Sequence, residues 1–281
     1  MNYQPILEQI YRDIEPWRNA GRVANYIPEL AKIPGERFGM AVVTLDGEVF
    51  SVGDAQQRFS IQSISKLFAC TLAFQLLGDA LWQRVGREPS GTAFNSLVQL
   101  ETERGVPRNP FINAGALVVT DVLCRRFVRA ETALVQFVRR LSGVSDIDYD
   151  ARVAESELRH AERNRAMAHF IASFGNLNMP PDAVVDAYCR ECAIEMNCIE
   201  LARAGHRRAY RRSQFGETAL RAVADLRHLR RGGRFCLSRR PAGEKRRRRR
   251  HRRRAAARNG RLRLVAGARC ERQLARRHLV P

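Results

Sequence analysis

At 281 residues the chain can bury a full core, as one large domain or two smaller ones. Its net charge of +20 invites a nucleic-acid reading, but the charge is segregated. Residues 1–205 carry 22 Lys and Arg against 25 Asp and Glu, whereas residues 206–281 carry 27 against 4, so the basic character belongs to the last quarter alone.

Seven cysteines, an odd number without framework spacing, predict a reducing compartment. Cys189, Cys192 and Cys198 share a helical-looking stretch with no fourth ligand nearby, so buried free thiols are expected rather than a zinc site. The segment Met1–Ile10 has acidic and polar residues and no long apolar core, which argues against a signal peptide. No apolar run is expected to reach the length of a membrane span. A cytoplasmic location is expected.

In chain order, residues 2–20 read as an amphipathic helix, with Ile6, Ile10, Ile14 and Trp17 at helical spacing. A loop from Gly21 leads to a hairpin. Residues 38–45 and 48–52 are its arms, and Asp46-Gly47 is the two-residue turn signal. The hairpin delivers the chain to Phe59-Ser60-Ile61-Gln62-Ser63-Ile64-Ser65-Lys66, which opens a helix over 63–77. Ile64, Leu67, Phe68 and Thr71 follow i, i+3, i+4, i+7 spacing, so the helix is predicted to be buried with its first turn held rigidly, and the sheet to pack against it.

Ser63 and Lys66, three residues apart, share one face of that helix. A desolvated lysine loses much of its preference for charge, so neutral Lys66 could take the Ser63 proton and make a nucleophile. Backbone N–H groups of the same turn could stabilise an oxyanion. A bare S-x-x-K match arises often by chance, and it carries weight only with support from the rest of the chain.

Further helices are predicted over 114–129, 131–141, 161–174 and 182–204. The rigid loop Pro107–Ala116 runs into the first of them, with Asn113 as the expected N-cap. Taken alone, a cap is the better reading of Asn113, although a polar residue there could also hold a ligand. Ser156, Glu157, Arg163, Asn164 and Tyr188 add polar groups to apolar-patterned segments. Singly they read as a cap, a surface pair and a core tyrosine.

Together these stretches resemble the bacterial-type glutaminases. The matching segments run in order: Val23–Ala31, Phe59–Lys66, Phe94–Leu97, Pro107–Ala116, Ser156-Glu157 with Arg163-Asn164, and Leu201–Gly205. The resemblance covers about residues 20–205. It implies an α/β (α+β) fold like that of the serine β-lactamases and penicillin-binding proteins, an antiparallel sheet plus a helical subdomain meeting at the serine helix. That subdomain would occupy about 71–205 of a glutaminase-like domain spanning 1–205. It also implies L-glutamine as substrate, an acyl-enzyme on Ser63 with Lys66 as base, and a pocket lined by Tyr26, Asn113, Glu157, Asn164 and Tyr188. No cofactor or metal is implied, and homo-oligomers are expected. Another S-x-x-K acylase, such as a β-lactamase-like hydrolase, is the alternative enzyme.

After Gly205 the resemblance stops. A tyrosine-bearing Cys-Gly-Thr-Tyr-Asp segment, a Lys-Ser-Gly-Val-Gly-Gly-Gly strand and turn, and a Cys-Val-Trp-Ser-Pro strand should follow. Arg-rich sequence stands there instead. Plausible GC-rich codons for Gly243–Arg252, read one nucleotide on, give Ala-Lys-Ser-Gly-Val-Gly-Gly-Gly-Ile-Val. The same shift lets Asp225–Arg231 encode Thr-Cys-Gly-Thr-Tyr-Asp and Arg261–Gly267 encode Val-Cys-Val-Trp-Ser-Pro. Glu271–His278 continue as Asn-Gly-Asn-Ser-Leu-Ala-Gly.

Three motifs in order and in one constant frame point to a reading frame displaced after about Gly205. Residues 206–281 are then expected to be disordered and the chain to be poorly stable and nearly inactive, because arginine-rich sequence cannot fill a central sheet. Residues 245–254, nine of ten of them Lys or Arg, would bind nucleic-acid backbones without sequence preference, as an incidental property.

Overall fold

The computed structural model describes residues 1–91 and 96–205, together with the backbone of a short strand at Val265–Gly267. The expectations for Phe94 and Asn95, for the rest of 206–281 and for the basic run 245–254 lie outside the described residues. In chain order the helices are α1 (Gln4–Asp13), α2 (Pro28–Ala31), α3 (Ser65–Leu77), α4 (Val98–Thr102), α5 (Asn113–Arg126), α6 (Ala130–Ser142), α7 (Ala151–Arg159), α8 (Glu162–Ser173), α9 (Pro181–Cys192) and α10 (Cys198–Ala204). The strands are β1 (Gly39–Val43), β2 (Val49–Gly53), β3 (Phe59–Ser60), β4 (Glu195–Met196) and β5 (Val265–Gly267).

β1 and β2 form the expected hairpin, in antiparallel register from Gly39↔Gly53 to Val43↔Val49. Gly47 sits in its turn at φ 94°, a conformation that suits a residue without Cβ. Side chains alternate along β1: Met40 and Val42 join the cluster under α1, while Ala41 belongs to the main core. The far edge of β1 pairs with β5, Met40↔Gly267 to Val42↔Val265. A short apolar stretch, Val-Ala-Gly, thus lines the sheet inside a segment expected to leave it empty. The layer directly on β1 is α10, so the hairpin meets the α3 core largely across that helix.

Helix α1 turns a different stripe inward from the one predicted. Tyr3 and Leu7 are buried, with Tyr11 and Ile14 packed beside them, whereas Ile6, Ile10 and Trp17 are exposed. The two tyrosines bring larger apolar area to Phe38 and Phe50 than the isoleucines would, and Arg18 stacks 4.1 Å over the Tyr11 ring. The helix stops at Asp13 and a 3-10 turn, Glu15–Trp17, follows, because Pro16 has no N–H to continue the ladder.

Helix α3 is buried on almost every side: Phe68, Ala69, Cys70, Thr71, Leu72, Ala73 and Phe74 all lie in the core formed with α5, α6 and α9. The continuous helical run Gln62–Gln83 is, by length and hydropathy alone, sufficient to cross a membrane, contrary to the sequence expectation. More than half of its apolar window (56%) is buried inside the protein, as befits a core helix. Asp121 on α5, fully buried, accepts the N–H groups of Asn178 and Met179 and pairs with Arg84, tying two loops to the core.

The single helix predicted over 182–204 is broken in two. After α9, strand β4 pairs antiparallel with β3 (Phe59↔Met196, Ser60↔Glu195), and α10 then starts on a capping box between Asn197 and Glu200. Arg58 bridges Glu200 and Asp146, securing the same junction. This short ladder fixes the chain three residues before Ser63.

Glu191 on α9 is fully buried. One carboxyl oxygen accepts from Thr120 at 2.7 Å and the other has no partner among the described residues. Burial pushes its pKa up to about 8, so the folded protein holds a proton that the unfolded chain releases near 4.3. The stability this group lends is whole below the unfolded value and is lost as pH rises toward 8, at up to roughly 1.4 kcal/mol per pH unit. Glu191→Gln is expected to flatten the fall in thermal midpoint between pH 5 and 8. Parallel curves for the two proteins would refute the assignment.

Candidate active site

The β3–β4 ladder and the Ile61 N–H, which donates to the Ile194 carbonyl at 2.8 Å, hold the approach to Ser63. Gln62 then takes φ 48°, a left-handed conformation uncommon for a residue with a side chain. Ser63 therefore sits on a 3-10 turn, Gln62–Ile64, immediately before α3 rather than inside it as predicted. Its side chain is exposed, while Lys66, one turn on, is buried at 4% exposure.

Lys66 Nζ donates to Asn113 Oδ1 at 2.7 Å and to the Phe111 carbonyl at 3.3 Å, and lies 5.9 Å from the centroid of the Tyr188 ring. Asn113 Nδ2 donates in turn to Asn164 Oδ1 at 3.2 Å. Asn113 is accordingly not a cap: Ile112 occupies the N-cap position, without a side-chain hydrogen bond, and Asn113 is the first residue of α5. A buried amine claims its amide oxygen more strongly than backbone N–H groups would. Asn164 likewise turns inward to Asn113 instead of forming a surface pair with Arg163.

The Tyr26 hydroxyl lies 2.9 Å from Oε1 of Gln62, the residue before Ser63, and 3.3 Å from Glu157 Oε1. Glu157 stands on α7, whose N-terminus is capped by Asp150 through the N–H groups of Arg152 and Val153. Tyr188 is buried on α9, the core position expected of it, with its hydroxyl on Cys192. Cys70, Cys189, Cys192 and Cys198 are buried free thiols.

Burial dominates the electrostatics. It lowers the Lys66 amine to about 8, with Cys192 and Glu157 pulling weakly upward. It raises the Glu157 carboxyl, against hydrogen bonds from Tyr26 and Gln62. It holds the Tyr188 phenol neutral, well above its ordinary range. A lysine near 8 has an appreciable free-amine fraction at neutral pH, as a general base requires. A partly desolvated carboxylate is poised to gain from an arriving ammonium group.

The sequence-derived residues Tyr26, Ser63, Lys66, Asn113, Glu157, Asn164 and Tyr188 come from six separated elements. Hydrogen bonds link Lys66, Asn113 and Asn164 in one set and Tyr26 with Glu157 in another. Gln62 and the Phe111 carbonyl were not singled out from sequence. Gln62 had a signal, its place directly before Ser63; a backbone carbonyl has none.

A family model described as Glutaminase matches residues 21–221. Over 204 residues the chain is 75% identical to the glutaminase of Paraburkholderia phytofirmans, covering 73% of this chain and 67% of that one. It is 74% identical over 204 residues, with the same coverage, to the glutaminase of Ralstonia nicotianae. It is 52% identical over 199 residues to glutaminase 2 of Escherichia coli K12, covering 70% and 65%. Among solved structures, the probable glutaminase ybaS is 35% identical with a TM-score of 0.67, covering 71% of this chain and 64% of that one. The native form of Mglu is 31% identical with a TM-score of 0.67, covering 73% and 50%. The chain spans about two thirds of the length of these curated relatives, and half to two thirds of the solved ones.

Proposed function

The chain belongs to the glutaminase family, and from that premise we propose that its site hydrolyses the side-chain amide of L-glutamine to L-glutamate and ammonia through an ester on Ser63. Neutral Lys66 takes the Ser63 proton as Oγ attacks the amide carbon. The tetrahedral oxyanion is stabilised by the Ser63 backbone N–H, since those of Ile64 and Ser65 already donate to carbonyls of the turn. Collapse breaks the C–N bond, and ammonia leaves with the proton returned from Lys66. Water then attacks the ester, Lys66 takes its proton, and Ser63 recovers its own as glutamate departs.

Glu157 with Tyr26 holds the α-ammonium, while Asn113, Asn164 and Tyr188 complete the cradle and position the far amide at Ser63. The observation that carries this reading is the buried Lys66 amine, held on Asn113 one helical turn behind an exposed serine. The working form is a cytosolic homo-oligomer. The chain after about Gly205 is read in a displaced frame, so the turnover of the present polypeptide is a small remnant of that of the correctly read protein. Incidental binding of nucleic acid through residues 245–254 would accompany the tail.

Ammonia release from L-glutamine and L-asparagine, alongside ring opening of a β-lactam followed by its ultraviolet absorbance, tests the substrate class. Glutamine is expected to be preferred, with the rate climbing as pH approaches 8 and Lys66 sheds its proton. Preference for the β-lactam would favour the other S-x-x-K acylases instead.

A further inference from the structure

The geometry points to Asn109 as a positioning residue for the Lys66 amine, acting through the turn 109–113 that carries both acceptors of that amine. Asn109 is buried, at 1% exposure. Its Oδ1 accepts the N–H groups of Phe111 at 3.0 Å and Ile112 at 3.2 Å, and its Nδ2 donates to the Glu88 carbonyl at 2.8 Å. Two of these bonds bend the turn, and the third pins it to the segment around Gly86–Glu88. That segment is laced to the same loop by Gly86 N–H to the Pro107 carbonyl (2.7 Å) and Glu88 N–H to the Arg108 carbonyl (2.9 Å).

Helix α5 backs onto the turn from the other side. A Cβ on Gly115 would stand 1.8 Å from the Asn109 carbonyl oxygen, an approach only glycine permits. The turn is thus clamped from three directions. Clamped this way, it presents the Phe111 carbonyl and the Asn113 amide oxygen to Lys66 Nζ.

A neutral lysine amine has two N–H bonds and one lone pair. With both N–H bonds committed to these two oxygens, the lone pair is left a single tetrahedral direction, and the base needs no reorganisation before it accepts a proton. Loosening the turn frees the amine to rotate and admits water, which favours the ammonium form. The inference rests on the proposed role of Lys66 as the base, but its test reads the lysine directly.

The chain has three lysines, Lys32, Lys66 and Lys245, so lysine carrying ¹³C at Cε gives three resonances, assigned with Lys66→Met. The full-length chain is titrated by NMR. The Lys66 midpoint is expected near 8 in the unsubstituted chain. Asn109→Ala is expected to raise it by about one pH unit, a roughly tenfold loss of free amine at neutral pH. Asn109→Ser, whose hydroxyl can accept the same two N–H groups, is expected to recover part of that shift.

An unmoved Lys66 midpoint in both variants, with only a lowered thermal midpoint, would make Asn109 a purely structural residue and overturn the inference. If the alanine variant does not fold, the serine variant decides: a smaller upward shift supports positioning, and none contradicts it. Ammonia release is measured in parallel. A preference for another amide over glutamine in the unsubstituted chain counts against the glutaminase reading and leaves the lysine titration to judge Asn109.

Discussion

Ser63→Ala is expected to lower kcat/KM for glutamine by at least about 10⁴-fold, because the nucleophile has no substitute within the turn. The measurement is best made in protein translated with the frame shifted after about Gly205, where the starting rate is expected to be highest. The substitution should hardly touch stability. Ser63 is exposed and makes no side-chain hydrogen bond among the described residues, so the unfolding free energy should change by no more than about 0.5 kcal/mol. Lys66→Ala is a poorer test, since it strips a buried donor from two oxygens and confounds chemistry with folding. A Ser63→Ala protein that retains a tenth of its activity would place the nucleophile elsewhere.

The second large effect concerns the tail. Shifting the frame after about Gly205 should restore the Lys-Ser-Gly and Cys-Val-Trp-Ser-Pro strands and the tyrosine between Gly205 and them. It replaces a segment of 27 basic against 4 acidic residues. Glutamine turnover is expected to rise at least about 100-fold and the thermal midpoint to rise with it, because apolar strands then cover the sheet and one wall of the pocket. Salt-sensitive retention on immobilised DNA should fall at the same time, since the ten-residue basic run disappears. Equal turnover in the two frames, or a gene whose shifted register encodes none of those motifs, would defeat the frame reading.

Local chemistry made much of the fold legible. Asp46-Gly47 marked the hairpin because its turn needs a positive φ, and the apolar spacing of α5, α6 and α8 put those helices within a few residues of where they lie. Competition between equally plausible local signals hid the rest. Helix α1 offered two apolar stripes, and tertiary contact with Phe38 and Phe50 chose the aromatic one. The Asn197–Glu200 capping box, which splits α9 from α10, was readable in principle but was outweighed by helical periodicity, while α7 with its Asp150 cap went unread.

The site was less legible. Asn113 looked like a cap because nothing in its neighbourhood reveals a buried amine 47 residues earlier in the chain. The link from Asn113 to Asn164 spans a further 51 residues. Spacing alone could not have joined these groups; the ordered family motifs did.

The central claim is that glutamine is opened through an ester on Ser63. Rapid quenching of a glutamine reaction in acid, followed by digestion and peptide mass spectrometry, tests it most directly. A glutamyl group on the peptide carrying Ser63, absent in Ser63→Ala, is the expected result. Turnover with no adduct on that peptide at any quench time, or with the group on another side chain, would contradict the account.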